Sequence, residues 1–147
     1  MSSWWNGAAG ASRQQGLRGW LARLFGNQGE RMAARYLRKQ GFKVIARQYR
    51  SPLGELDLVA LDGPCVVFVE VKTRRSRDAG HPVEAVDRHK QTQLTRVALA
   101  FLKQKRLLEQ PARFDIVAIV WPADSAEPEI THYRNAFEPV GRGQMFS

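Results

Sequence analysis

The run Cys65-Val66-Val67-Phe68-Val69-Glu70-Val71-Lys72-Thr73 constrains the fold of this chain more than any other segment. It is β-branched or aromatic almost throughout before its charged end, which is the composition of a strand buried on both faces. Such a strand belongs in the middle of a sheet. Glu70 interrupts it, and a buried carboxylate is costly unless it is paired or bound to a metal. The segment therefore predicts a central strand and, within it, a chemical reason for an acid.

The neighbouring segments supply the rest of a layered domain. Glu30 to Gln40 has helical periodicity and Gly41 ends it. Phe42 to Arg50 and Glu55 to Leu61 read as strands, separated by the turn Ser51-Pro52-Leu53-Gly54. Asp62-Gly63-Pro64 turns the chain into the Cys65–Thr73 strand. A basic loop over 74–81 leads into Pro82 to Arg106, mainly helical, with Leu94, Val97, Ala98, Phe101 and Leu102 on one face. Arg113 to Trp121 is a fourth strand and Glu129 to Arg134 a shorter fifth. Tight turns make the first three strands an antiparallel meander, and the long helix makes the fourth a parallel crossover. The expected fold is α/β: a mixed five-stranded sheet flanked by helices, in the order α-β-β-β-α-β-β. The folded domain is expected over 29–138, between a tail over 1–28 and a short tail over 139–147. Leu17 to Phe25 reads as a short amphipathic helix that packs on the domain or a partner rather than on a membrane surface.

The net charge is +9, and residues 71–106 hold ten Lys/Arg against three Asp/Glu. Clustered positive charge attracts a polyanion through counterion release, although many solvated surfaces are also basic. Cys65 is the one cysteine, so no intrachain disulfide forms and no Cys cluster holds zinc. That usage points to a reducing, cytoplasmic compartment. Cys65 itself reads as a small buried apolar residue rather than a nucleophile. No stretch is apolar enough to span a bilayer, and Met1 to Gly29 carries no convincing secretory signal.

Alternation along the strands places Glu55, Asp57 and Val59 on one face, with Leu56, Leu58 and Ala60 on the other. It also groups Val66, Phe68, Glu70 and Lys72. Asp57, Glu70 and Lys72 can thus meet across adjacent strands. Each alone has an ordinary explanation, as a strand-end polar residue or a surface ion pair; their joint placement within apolar strands is harder to explain that way. Glu30 aligns with Ala33, Ala34 and Leu37 on the apolar side of its helix. It either points toward the sheet or complements the helix dipole after Gly29. Two carboxylates and the Val71 carbonyl form an oxygen-rich set suited to Mg²⁺ or Mn²⁺, with Asp57 and Glu70 as direct ligands. Lys72 can then orient or deprotonate a water, or stabilise charge on a phosphate.

Gly54-Glu55-Leu56-Asp57-Leu58-Val59-Ala60 followed by Val67-Phe68-Val69-Glu70-Val71-Lys72-Thr73-Arg74 resembles the two core blocks of the PD-(D/E)xK nuclease superfamily. The closest resemblance is to the YraN family, small bacterial proteins similar to archaeal Holliday-junction resolvases. It runs from about Gly29 to Phe137 and takes in Gly29-Glu30, Gly41, Gly80-His81-Pro82, Glu84-Ala85-Val86, Lys90 and Arg113-Phe114-Asp115. Leu56 stands where the superfamily has a proline. The resemblance implies a restriction-endonuclease-like fold, catalytic roles for Asp57, Glu70 and Lys72, and an auxiliary role for Glu30. It also implies a homodimer suited to a two-fold junction.

Arg74, Arg75 and Arg77 leave the candidate site along one loop, and Arg88, Lys90 and Gln91 begin the next helix. They are placed to hold phosphates, with Lys90 the strongest single candidate. No base-reading motif is visible, so structured or branched DNA is the expected partner. The leading function is metal-dependent phosphodiester hydrolysis by an endonuclease. The alternative is a catalytically idle nucleic-acid-binding module or a subunit of a DNA repair complex. Asp115, between Phe114 and Ile116, is expected to be structural and paired with a nearby Arg.

Overall fold

The computed structural model describes residues 26–78 and 80–141. The expected Leu17–Phe25 helix lies outside them. Helix α1 covers residues 26–39. It is followed by β1 (Lys43–Ser51), β2 (Gly54–Asp62), β3 (Cys65–Arg74), α2 (Arg88–Gln104), β4 (Ala112–Val120) and β5 (Glu129–Phe137). The strands form one sheet in the order β1-β2-β3-β4-β5. β1, β2 and β3 pair antiparallel, β3 and β4 parallel, β4 and β5 antiparallel. This is the mixed sheet and α-β-β-β-α-β-β order expected from the sequence.

β3 is central because both its faces are covered. On one face Ala33, Ala34 and Leu37 of α1 pack on Leu58, Ala60, Val67, Val69, Val117 and Ile119. On the other, Leu94, Val97, Ala98, Phe101 and Leu102 of α2 pack on Val59, Val66, Phe68, Phe114 and Ile116. The small residues of α1 bring it close to the sheet. Gly29 is the tightest point: a methyl group there would lie 2.2 Å from Thr73 Cγ2 and 3.7 Å from Ile119 Cδ1. That close approach carries the next residue, Glu30, down toward the end of β2.

Three boundaries differ from expectation by several residues, the first being α1, which begins at residue 26 and not at Glu30. α2 starts at Arg88 rather than near Pro82. Residues 82–87 form successive turns, with Glu84 N–H bonded to His81 O and Val86 N–H to Val83 O. Asp87 then caps the helix, its Oδ1 accepting the Lys90 N–H at 2.8 Å,. β5 runs on to Phe137 instead of stopping near Arg134. Asn135 adopts φ 50° and turns its N–H to Asp115 Oδ1 at 2.9 Å, making a bulge that the strand survives,. Beyond it Phe137 stacks on Phe114, with centroids 4.7 Å apart.

Asp115 is fully buried and fully partnered, as its structural reading required. Arg113 Nε donates to its Oδ1 at 2.9 Å, and His132 Nε2 lies 2.8 Å from its Oδ2. Arg113 also reaches Asp62 at 3.0 Å, joining β2 to β4 across the end of β3. Burial works to raise the Asp115 pKa, yet the bonds from His132, Arg113 and the Asn135 N–H hold it below its ordinary value,. No helix among the described residues is long and apolar enough to cross a membrane.

Gly29→Ala tests the close approach of α1. Alanine improves helix propensity by roughly 0.5–1 kcal/mol, but overpacking against the stiff Thr73 side chain costs about 1–3 kcal/mol. The expected result is a lower melting temperature. A variant as stable as the parent would show that α1 can shift freely.

Candidate active site

The site forms where the regular sheet fails. In β2, Leu58 and Ala60 pack beneath α1, while Val59 packs beneath α2. Strict alternation would put Leu56 with Leu58, but Leu56 belongs to the α2 cluster. This corrects the expectation that Leu56, Leu58 and Ala60 share one face. β1 shows the same break, since Ala46 and Tyr49 both pack toward α2. The pairs Arg47↔Leu58 and Tyr49↔Leu56 set Gln48 opposite Asp57 at the break. Gln48 has φ 50°, an uncommon backbone state for a residue with a side chain,.

Gln48 and Asp57 connect this row to α1. Gln48 Nε2 donates to Glu30 Oε2 at 2.7 Å and also bonds Asn27 Oδ1. The charge of Asp57 also acts on Glu30, raising its pKa. The pairing of β2 with β3 ends at Leu58↔Val69, so the strands part just before Asp57 and Glu70. Asp57 Oδ2 reaches into that gap and accepts the Val71 N–H at 2.8 Å. In a strand the carbonyl of a residue lies along the same edge as its N–H, so the Val71 carbonyl faces the same gap.

Glu70 is only 8% exposed. Lys72 Nζ lies 3.5 Å from its Oε1. Burial, followed by the charge of Asp57, pushes the Glu70 pKa from 4.5 up to about 7, against the pull of Lys72 and Lys90. Burial also raises Asp57, although the Val71 N–H and the bond with Glu70 favour its ionised form. Burial raises both acids, and the charge of Asp57 raises Glu70 further. Glu30 is raised as well, first by burial and then, against its bond from Gln48, by Asp57. An open groove of about 290 Å³ borders Glu30 and Asp57, lined also by Gln48, Arg50, Glu55 and Leu56.

The structure thus brings together Asp57, Glu70, Lys72 and Glu30. Among the described residues, no set of three or more His, Cys, Asp or Glu side chains is placed to hold a metal ion. A cation here would rest on Asp57, Glu70, the Val71 carbonyl and water. That donor set fits Mg²⁺ or Mn²⁺, since Mg²⁺ is commonly held by one or two carboxylates and keeps much of its hydration. Burial is the largest cause of the raised pKa of both acids, and positive charge beside them would favour their ionised forms,.

The basic residues divide. Lys90 acts on both Asp57 and Glu70 through its charge, so the start of α2 does face the site. Arg75 and Arg88 are exposed, and Arg74 is half-buried at the end of β3. Arg77 is engaged elsewhere, bonded to Glu129 and 3.4 Å from Asp124. Gln91 donates to the Val86 carbonyl at 2.9 Å and so ties α2 to the preceding turns. Sequence reasoning overlooked Gln48. Its position opposite Asp57 follows from counting back through the Ser51–Gly54 turn, but its backbone state has no sequence signal.

The model of the family described as "Uncharacterised protein family UPF0102" matches residues 29–119. The chain belongs to the UPF0102, or YraN, family. A UPF0102 protein of Geotalea uraniireducens is 47% identical over 113 residues, which cover 77% of this chain and 88% of the relative. One from Rhodopirellula baltica is 46% identical over 119 residues, covering 79% and 71% respectively. One from Alkaliphilus metalliredigens is 40% identical over 117 residues, covering 80% of this chain and all of the relative. The UPF0102 match contains every acid and lysine of the site.

The acid cluster makes stability depend on pH in a defined direction. Folding raises the Glu70 pKa from 4.5 to about 7. Its contribution is therefore complete below the lower value and is lost as pH climbs through the upper one. Asp57 and Glu30 act with the same sign. In EDTA, the melting temperature should fall across this interval, and Glu70→Gln, which cannot ionise, should flatten the fall. A variant profile as steep as the parent's would refute the assignment.

Proposed function

We propose that this UPF0102 protein is a Mg²⁺- or Mn²⁺-dependent endonuclease acting on structured or branched DNA. The observation that carries the proposal is the buried Glu70 held against Asp57, with the Lys72 ammonium 3.5 Å away. A structural sheet gains nothing from two acids facing each other between apolar strands. A phosphodiesterase needs such a pair next to a cation-bearing side chain.

A divalent cation bound there supplies Lewis-acid chemistry toward a phosphate oxygen and a water. The chain's own residues do the remainder. Asp57 is fixed by the Val71 N–H, so its carboxylate keeps one orientation. Glu70 holds Lys72 in place, and Lys72 can orient the attacking water or neutralise charge developing on the phosphate,. Glu30, clamped by Gln48, adds a third acid beside Asp57. Lys90 brings a positive charge from the start of α2, where a DNA phosphate would need it,. Arg75 and Arg88, both exposed, extend that basic surface. None of these contacts reads a base edge, which supports recognition of DNA form over sequence.

Purified protein should cut at least one of linear, flapped or four-way DNA when Mg²⁺ or Mn²⁺ is supplied. Asp57→Ala, Glu70→Ala and Lys72→Ala should each lower cleavage by about a hundredfold or more, the scale at which single acid–base and electrostatic groups act, while DNA binding remains. Lys90→Ala should weaken binding and reduce its salt dependence, by roughly one unit of slope if it meets one phosphate. Absence of cleavage on every substrate with either metal would overturn the proposal.

A further inference from the structure

The sheet face beneath α2 is covered only in part by that helix. Beyond the helix start, β3, β4 and β5 floor a second groove of about 330 Å³. Arg74, His81, Pro82, Ala118, Thr131 and Tyr133 line it. Ala118 stands in β4 between the larger Ile116 and Val120 side chains of the same face, and its small size gives the groove depth.

Register ties this groove to the acid pair. Glu70 pairs with Ile116, which pairs with Tyr133, and Lys72 pairs with Ala118, which pairs with Thr131. Directly paired residues point to the same face. Tyr133 and Thr131 therefore stand on the face of Glu70 and Lys72, two strand spacings away, or about 10 Å. A nucleotide next to the cleaved bond can bridge that span.

The groove lining suits a nucleobase. His81 and Tyr133 meet edge to face, with centroids 4.8 Å apart. His81 Nδ1 accepts the Val83 N–H at 3.2 Å, which fixes the ring and leaves the proton of the neutral imidazole on Nε2,. The floor is apolar, Thr131 offers a hydroxyl, and Arg74 adds positive charge at the edge nearest Lys72. An aromatic wall, an apolar floor and an adjacent cation are the parts of a single-strand stacking site.

We infer that this groove binds an unstacked nucleobase of the DNA strand, with its ring against Tyr133 and His81 and its phosphate toward Lys72 and Arg74. This rests on the nuclease reading and gives it a substrate class. A base inside a duplex is stacked on both sides and cannot enter, whereas one at a flap, gap or branch point can. The site would thus favour DNA carrying unpaired nucleotides next to a duplex.

Fluorescence anisotropy of the full chain in EDTA tests this without requiring cleavage. The probes are a blunt duplex and the same duplex carrying a single-stranded flap. Wild type should bind the flapped form about tenfold more tightly, the scale of one stacked base. Tyr133→Ala and His81→Ala should each erase most of that preference and leave duplex affinity unchanged; Tyr133→Phe should keep it. His81 is exposed, so its variant remains informative if Tyr133→Ala fails to fold. A flap-to-duplex ratio unaltered in His81→Ala overturns the inference. Cleavage with an unaltered ratio would remove the groove alone; a His81-dependent preference without cleavage under Mg²⁺ or Mn²⁺ would remove the nuclease proposal alone.

Discussion

The unpaid desolvation of Glu70 is the constraint on which the rest of the site depends. An ionised carboxylate inside a two-sided apolar strand has lost its water, and the charge of another acid, Asp57, acts on it. Lys72 and Lys90 offset part of that penalty but leave the acid with a pKa near neutrality. Protonation relieves the conflict as pH falls through that value,. A divalent cation would resolve it by coordination, and the same geometry serves both outcomes.

Asp115 shows what a settled acid looks like in the same sheet. It lies on β4, one strand from Glu70, and is more deeply buried. Arg113, His132 and a backbone N–H converge on it, so its pKa falls below the ordinary value despite burial. Compensation, and not depth, accounts for the opposite direction of their shifts. That contrast separates a structural carboxylate from a candidate reactive one more sharply than exposure does.

The irregular backbone around the site follows from the need to gather acids from three elements. Regular alternation would send Leu56 toward α1; instead the break at Gln48 and Asp57 sends Leu56 and Tyr49 beneath α2. The pairing of β2 with β3 stops one row short of the acids, and Asp57 takes the Val71 N–H that a ladder bond would have used. Gly29 lets α1 descend far enough for Glu30 to join. Each departure from ideal geometry serves the same row of residues.

Much of this was written in the chain. The apolar run of β3, the tight turns on either side of β2 and the long amphipathic α2 fix a mixed five-stranded sheet, because strand pairing and crossover direction follow from connection length. The interruption at Glu70 and the two motif blocks mark Asp57, Glu70 and Lys72, and helical phase marks Glu30. What sequence could not give is whatever depends on the third dimension. Period-two alternation cannot foresee the break at Gln48, since φ is set by contacts with α1 as much as by residue type. Charge cannot show that Arg77 is held by Glu129, a partner far along the chain. The length of β5 turned on a bulge whose N–H bonds a carboxylate in the neighbouring strand. Local patterns select elements because they are local energies; burial, pairing and compensation of charge arise only once distant segments share the same space.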